Sequence, residues 1–195
     1  MAEIQNKDTN VNETFERRLP ERMRVTLSWS TGGYDGAAEL DVDASAFLLG
    51  TDGTVQRNAD FVFYGNLQSG DGAVVHTGDN LKGGPGGDSE ALLVDTAKLP
   101  GDVTSVLIAL TIYEAQERGQ SFAQVSDVTV RLTKEPQENG SRGELRFDLP
   151  KGSADETALA VCEIVRLGDE WCLKPIGAGY RGGLYALCKS LGVNV

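Results

Sequence analysis

Histidine, cysteine and positive charge are all scarce in this chain, and each scarcity excludes something. His76 is the one histidine in 195 residues, so any Ser-His-Asp arrangement or histidine-rich metal site would depend on a single side chain. Cys162, Cys172 and Cys188 make an odd count with no CxxC spacing, which argues against both a disulfide framework and a zinc knuckle; they are expected to be small buried residues. Against 29 acidic residues there are 18 basic ones, a formal charge of −11. That balance disfavours sequence-independent nucleic-acid binding and docking on anionic lipid through charge alone, and it suits cations. No stretch approaches the roughly 20 apolar residues of a membrane span, and the polar N-terminus holds no signal-peptide core. The expected address is the cytoplasm, and the length suits one domain with a real core.

Glycine, by contrast, is abundant and concentrated. Gly78 to Glu90 reads GDNLKGGPGGDSE, placing Asp79, Asn80, Asp88 and Glu90 around five glycines and a proline. Glycine loses the most backbone entropy on ordering and proline removes a donor, so this stretch is a loop. A loop with four oxygen-bearing side chains at its two ends is suited to wrap a hard cation. Calcium fits, since it takes six to eight oxygens from carboxylates, amides and carbonyls in flexible geometry. The competing reading is an ordinary hairpin loop whose acids are solvated. The spacing is not that of an EF-hand, because Leu81 and Gly83 stand where Asp or Asn should be. Nor is it a phosphate-cradling loop, since no Gly-Lys-Ser/Thr follows and the acids would repel phosphate.

The polar first 22 residues lack periodicity and read as a tail. From Met23 the period is two: Val25, Leu27 and Trp29 alternate with polar neighbours. Glu39 to Leu49 reads as a strand turning at Asp52-Gly53 and returning from Val55 to Tyr64. Taken as a two-residue turn, that hairpin sets Ser45 opposite Asp60 and places Asp41, Asp43, Ser45 and Asp60 on one face. Leu40, Val42, Ala44, Ala46 and Leu48, with Phe61 and Phe63, fall on the other. Three carboxylates so close cost free energy unless a cation neutralises them, which makes Asp41, Asp43 and Asp60 a second half-site.

Further strands are expected at Ala91 to Val94, at the β-branched run Val103 to Tyr113 as the central strand, at Val128 to Leu132 and at Glu144 to Leu149. Thr157 to Leu167 and Trp171 to Ile176 form a hairpin about Gly168-Asp169, setting Cys172 opposite Val165 so that Cys162 and Cys172 do not face each other. Leu184, Leu187, Cys188 and Leu191 fall at helical spacing before Gly192. About nine strands and one terminal helix make an all-β, mostly antiparallel two-sheet sandwich. Gly177-Ala178-Gly179-Tyr180-Arg181-Gly182 fits GxGxxG, but the chain ends 13 residues later, too soon for the acidic residue of a dinucleotide site. No nucleotide is expected. The glycines are read as letting the last helix pack closely on the sheet.

On the stretches 40–50, 60–90, 103–125, 156–184 and the closing GVNV, the sequence resembles the TerD family of tellurium-resistance and stress-response proteins. The resemblance implies a calcium-binding β-sandwich with two neighbouring ions, encoded among genes for resistance to tellurite, other chemical stress and some phages, and no established enzymatic activity. Carried over by position, the paired acids fall on Asp41 and Asp43, and the loop ligands on Asp79, Asn80, Asp88 and Glu90, with carbonyls from the backbone between them, such as Leu81 and Gly83. Val42, Ser89 and Gly65 depart from the family's usual DLDAS, GDDE and FYN patterns.

The expected function is therefore a calcium-binding, non-catalytic interaction module whose partners are other proteins of a stress-resistance assembly. Two alternatives stand beside it. A metal-dependent hydrolase would use His76 as base, but the sequence places no nucleophile beside it. A calcium-dependent adaptor on a membrane surface, or one with a membrane-associated partner, would want exposed apolar or basic residues beside the ions, and the loop offers Leu81 and Lys82.

Overall fold

The computed structural model describes residues 18–31, 34, 36, 39–78, 88–136, 145–149, 151 and 155–194. Asp79, Asn80, Leu81 and Gly83, and the side chain of Asp88, lie outside the described residues.

One antiparallel sheet is centred on β1 (Arg22–Ser30) and the other on β6 (Ser105–Ile112), the two segments whose apolar patterning is strongest in the sequence. Around β1 stand β4 (Val74–His76), β5 (Asp88–Asp95), β7 (Ser126–Lys134) and β8 (Leu145–Asp148), in the order β4-β5-β1-β7-β8. Around β6 stand β2 (Val42–Leu49), β3 (Phe61–Val62), β9 (Ala158–Leu167) and β10 (Glu170–Tyr180), in the order β10-β9-β6-β2-β3. β1 alternates buried and half-buried residues because one of its faces meets the core and the other meets water. β2 and β6 are buried at all eight of their positions, which requires a second layer outside their sheet.

That layer is helix α2 (Gly183–Ser190), the second helix, after the four-residue α1 (Ala115–Arg118). Leu40, Val42, Ala44, Ala46 and Leu48 point between the sheets with Met23, Val25, Leu27 and Leu92. Phe47, Leu49, Leu107, Ala109 and Ala160 point outward into a smaller core closed by Leu187, Cys188 and Val193. Each fully buried side chain of this size contributes about 1.5–3 kcal/mol. The sandwich therefore has two cores, and α2 is the lid of the lesser one.

Several expectations hold. Gly168-Asp169 makes a tight hairpin with Glu170 opposite Leu167 and Cys172 opposite Val165, and all three cysteines are buried and free. Ten strands replace nine because β4, three residues long, was not separable from its loop. Packing begins before Met23: Leu19 is buried, its N–H donates to the Trp171 carbonyl at 2.8 Å, and the Glu21 carbonyl accepts from the Thr96 N–H at 2.8 Å.

The hairpin after β2 is where the expected register fails. Ala46 pairs with Val62 and Phe47 with Phe61, so Ser45 does not oppose Asp60. Phe61 joins the outer face, stacked on Phe47 at 4.6 Å and on Phe63 at 4.4 Å between ring centroids. The chain does turn here, but over three residues rather than two: the Gly50 N–H bonds the Thr54 carbonyl at 2.9 Å, Gly53 is left-handed at φ +74°, and Leu49 is bridged to Val55. The Val55 N–H then bonds the Leu191 carbonyl at 2.8 Å, drawing the chain under the end of α2, and it returns through a 3₁₀ turn at Asn58–Asp60. The glycines before α2 also differ from expectation. A Cβ on Gly179 would meet the Glu156 side chain, and Gly182 is the left-handed N-cap of the helix at φ +89°.

Candidate functional site

The site is built on the edge of β2 that β3 leaves uncovered. The carbonyls of Asp41 and Leu49 accept N–H groups from Tyr113 and Thr104 on the β6 side, so the backbone groups of Val42 and Ala44 face the β3 side. β3 pairs with β2 at Ala46 and Phe47 and goes no further. Beyond it, the Ala44 N–H donates to Oε2 of Glu90, a carboxylate carried in from the other sheet. A side chain is thus standing in for a missing strand.

Glu90 itself is buried and sits on β5 opposite Leu27. His76, also buried, lies with Nε2 3.3 Å from the same Glu90 oxygen, while its Nδ1 accepts the Gly78 N–H at 3.2 Å. Burial alone would push the imidazole pKa down. The hydrogen bond and charge of Glu90, the Ala44 backbone and the charge of Asp43 outweigh it and raise the pKa. Both ring nitrogens are engaged within the sandwich.

Both ends of the glycine stretch are fixed here. The Thr77 N–H donates to the Ala91 carbonyl at 3.0 Å, Gly78 follows it, and Asp88 pairs with Trp29 two residues before Glu90. The described chain thus stops at Gly78 and resumes at Asp88, two residues before Glu90.

On the outer face of β2, Asp43 is buried opposite Thr111, and Asp41 is half-buried at the strand's start. The phenol of Tyr64 has its pKa raised first by burial, then by the charges of Asp43, Asp41 and Glu114. These carboxylates therefore act on one neighbourhood. Glu114 closes it on the far side with a left-handed backbone, φ 49° and ψ 31°, a conformation that costs about 1–2 kcal/mol for a residue with a Cβ. Strain of this kind collects at sites that need one particular placement.

Of the residues singled out in the sequence, Asp41, Asp43 and Glu90 come to this end of β2. Asp60 goes elsewhere. Counting on from Phe61 opposite Phe47, it stands level with Leu48, about 16 Å along the strand from Asp43 at 3.3 Å per residue. There it is buried and accepts from Arg57 Nε at 2.7 Å, while Nη1 of the same guanidinium donates to Asp102 at 3.0 Å. Burial raises the pKa of Asp60 despite the opposing arginine. Its expected partnership with Asp41 and Asp43 came from the two-residue register that the fold does not use. Among the described residues no three His, Cys, Asp or Glu side chains are grouped closely enough to hold a metal ion by themselves.

The bridge from Glu90 to the Ala44 N–H was not legible in the sequence, because it joins two sheets; the one signal was that His76 and Glu90 flank the same loop. A TerD domain model matches residues 1–191. The chain belongs to the TerD family. It is 39% identical over 188 residues to tellurium resistance protein TerD of an Alcaligenes species, covering 96% of each chain. It is 38% identical over 171 residues to general stress protein 16U of Bacillus subtilis, covering 88% of this chain and 87% of that one. The TerD fold is also that of a solved TerD homologue from Streptomyces coelicolor, which superposes with a TM-score of 0.62 at 19% identity over 86% of this chain and 94% of that one. No helix among the described residues is long and apolar enough to cross a membrane.

Proposed function

We propose that this TerD protein is a calcium-binding, non-catalytic interaction module, working in the cytoplasm with other proteins of a tellurite and chemical-stress resistance system. The observation that carries the reading is that Glu90 and Asp43, from two sheets, both act on His76, two residues before the point where the described chain stops at Gly78. The donors are all hard oxygens, and the cysteines are buried elsewhere, so the chemistry of the set suits calcium rather than zinc. Asp41, Asp43 and Glu90 would hold one side of two ions, with Asp79, Asn80, Asp88 and the carbonyls of Leu81 and Gly83 supplying the rest. Bound calcium supplies charge neutralisation and a fixed loop conformation. Glu90 presents a carboxylate already aligned by the Ala44 N–H, and His76 holds it there.

A hydrolytic role for His76 finds little support, since its two nitrogens are bound to Glu90 and Gly78 and the ring is buried. The names of its relatives, tellurium resistance protein TerD and general stress protein 16U, support a role for the module in stress resistance.

The decisive test is thermal melting with calorimetry in calcium, magnesium and chelator. A ligand that binds the folded state stabilises it by about 2.7 kcal/mol per independent site at a hundredfold excess over Kd. Millimolar calcium should raise Tm by several degrees. Magnesium should do much less, because it demands octahedral geometry and dehydrates reluctantly. Asp43→Ala and Asp79→Ala should each remove most of the shift. Identical melts in calcium and chelator, with no heat of binding, would overturn the metal reading. A pull-down in calcium and in chelator then separates a sensor from a module with structural ions.

A further inference from the structure

Outside Asp43, on the face away from Glu90, the protein opens a cleft of about 270 Å³ between the β2–β6 surface and the start of α2. Tyr64, Tyr113 and Tyr185 line it, together with the carboxylates of Asp43, Glu114 and Glu117. No lysine, arginine or histidine is among the described residues that line it. The three tyrosines are 47%, 39% and 58% exposed, an unusual outlay of aromatic surface for a chain with 7% aromatic residues. Tyr64 and Tyr113 meet edge to face at 6.3 Å.

Aromatic faces and carboxylates both attract cations, the first through the ring quadrupole and the second through charge. The protein already shows this with a side chain of its own. The Arg118 guanidinium lies 5.1 Å from the Tyr113 ring centroid and pairs with Glu114 at 2.9 Å, and the Tyr113 phenol also bonds Glu114. Lys189 covers the Tyr185 ring in the same way at 5.4 Å. Tyr64 carries no such cover among the described contacts; Asp43 lies near enough for its charge to act on the Tyr64 phenol, and Glu117 also lines the cleft.

We propose that this cleft receives an arginine or lysine side chain from a basic segment of a partner protein, with its cationic head between Tyr64, Asp43 and Glu117 and its methylene stem against Tyr185. A protein partner is favoured over a small free amine for two reasons. The tyrosines stand at the rim, where they would cover peptide backbone as interface aromatics do. The net charge of −11 draws basic chains over a wide surface.

The test uses the full chain in chelator, so that its outcome does not depend on whether calcium binds. The probe is a capped Gly-Arg-Gly-Arg-Gly peptide, titrated at low ionic strength and followed by the tyrosine ring resonances. Saturable shifts at Tyr64 and Tyr113 are expected, and none with the same peptide carrying uncharged citrulline for arginine. Tyr64→Leu and Glu117→Gln, both at exposed positions, should each weaken binding about threefold to tenfold. Asp169→Asn, in the exposed turn at the far end of the β9–β10 hairpin, should not. Equal binding of the citrulline peptide, shifts spread over the whole surface, or an equal loss in Asp169→Asn would overturn the site. Agmatine binding as tightly as the peptide would overturn the assignment to a protein partner.

Discussion

The two ends of β2 carry acids from the same stretch of sequence and treat them in opposite ways. At the Leu48 end Asp60 is folded under the sheet edge and its charge is met by Arg57, which Asp102 steadies from outside. Around it the Phe47, Phe61 and Phe63 rings stack and α2 closes the face. At the Asp43 end the strand has lost its neighbour, and a glutamate from the other sheet supplies the missing acceptor for Ala44. Acids there gather beside a glycine loop on one side and a tyrosine-lined cleft on the other. An acid with an arginine three residues before it is a structural element; the acids at the unfinished sheet edge are the ones the proposed calcium site would use.

The sharpest way to break that contrast is to remove Glu90. Glu90→Ala leaves the Ala44 N–H and His76 Nε2 without their buried acceptor and should cost about 3 kcal/mol in urea unfolding. Glu90→Gln keeps an acceptor oxygen and should recover most of that loss, while abolishing the calcium shift. A fully stable Glu90→Ala would mean that the edge of β2 has another partner and that Glu90 is free for other work.

Arg57→Ala should come next, at about 2 kcal/mol, because the carboxylate it leaves behind is buried although the arginine is half-exposed. Its calcium response should be unchanged, which separates the two ends of the strand. The pH dependence gives a second check. Asp60 has a raised pKa in the folded protein because of burial, so its own contribution to stability is present below the unfolded pKa of about 3.9 and is lost as pH rises through the folded value. Removing Arg57 raises that value further. The gap between wild type and Arg57→Ala should therefore be widest at neutral pH and close as pH falls below the ordinary carboxylate range.

The smallest expected effect concerns the traffic between loop and cleft. If Asp43 serves both, calcium should weaken the arginine peptide by about threefold, and the peptide should weaken calcium by the same factor, since coupling between binding sites is reciprocal. Equal peptide affinity in calcium and chelator would show that the two sites share a strand and nothing more.

Much of the sandwich was legible because the signal is local. Alternation in Val25, Leu27 and Trp29 requires a strand with one wet face, and the β-branched run before Tyr113 requires one buried on both. The Gly168-Asp169 turn set the hairpin register correctly, since the flanking strands pair without a break from the turn as far as Pro175 opposite Cys162. Asp52-Gly53 misled because it is not a two-residue turn: the Gly50 N–H bonds the Thr54 carbonyl across a three-residue loop, and beyond it the Val55 N–H is taken by the carbonyl of Leu191 from the far end of the chain. The shifted register puts Phe61 opposite Phe47, which takes Asp60 out of the candidate site and Phe61 into the outer core.

The sequence by itself therefore determined the class of fold and the acidic character of the Gly78 to Glu90 stretch, which follow from period-two patterning and charge balance; the reading of that whole stretch as loop is corrected at its end, where Asp88 to Glu90 belong to β5 because they pair with β1, and residues 79–87 lie outside the described residues. Tertiary structure alone decided which acids meet. Asp43 and Glu90 come from two sheets, and strand pairing brings both within reach of His76; Asp60, from the same hairpin as Asp43, stands level with Leu48, where Arg57 meets its charge.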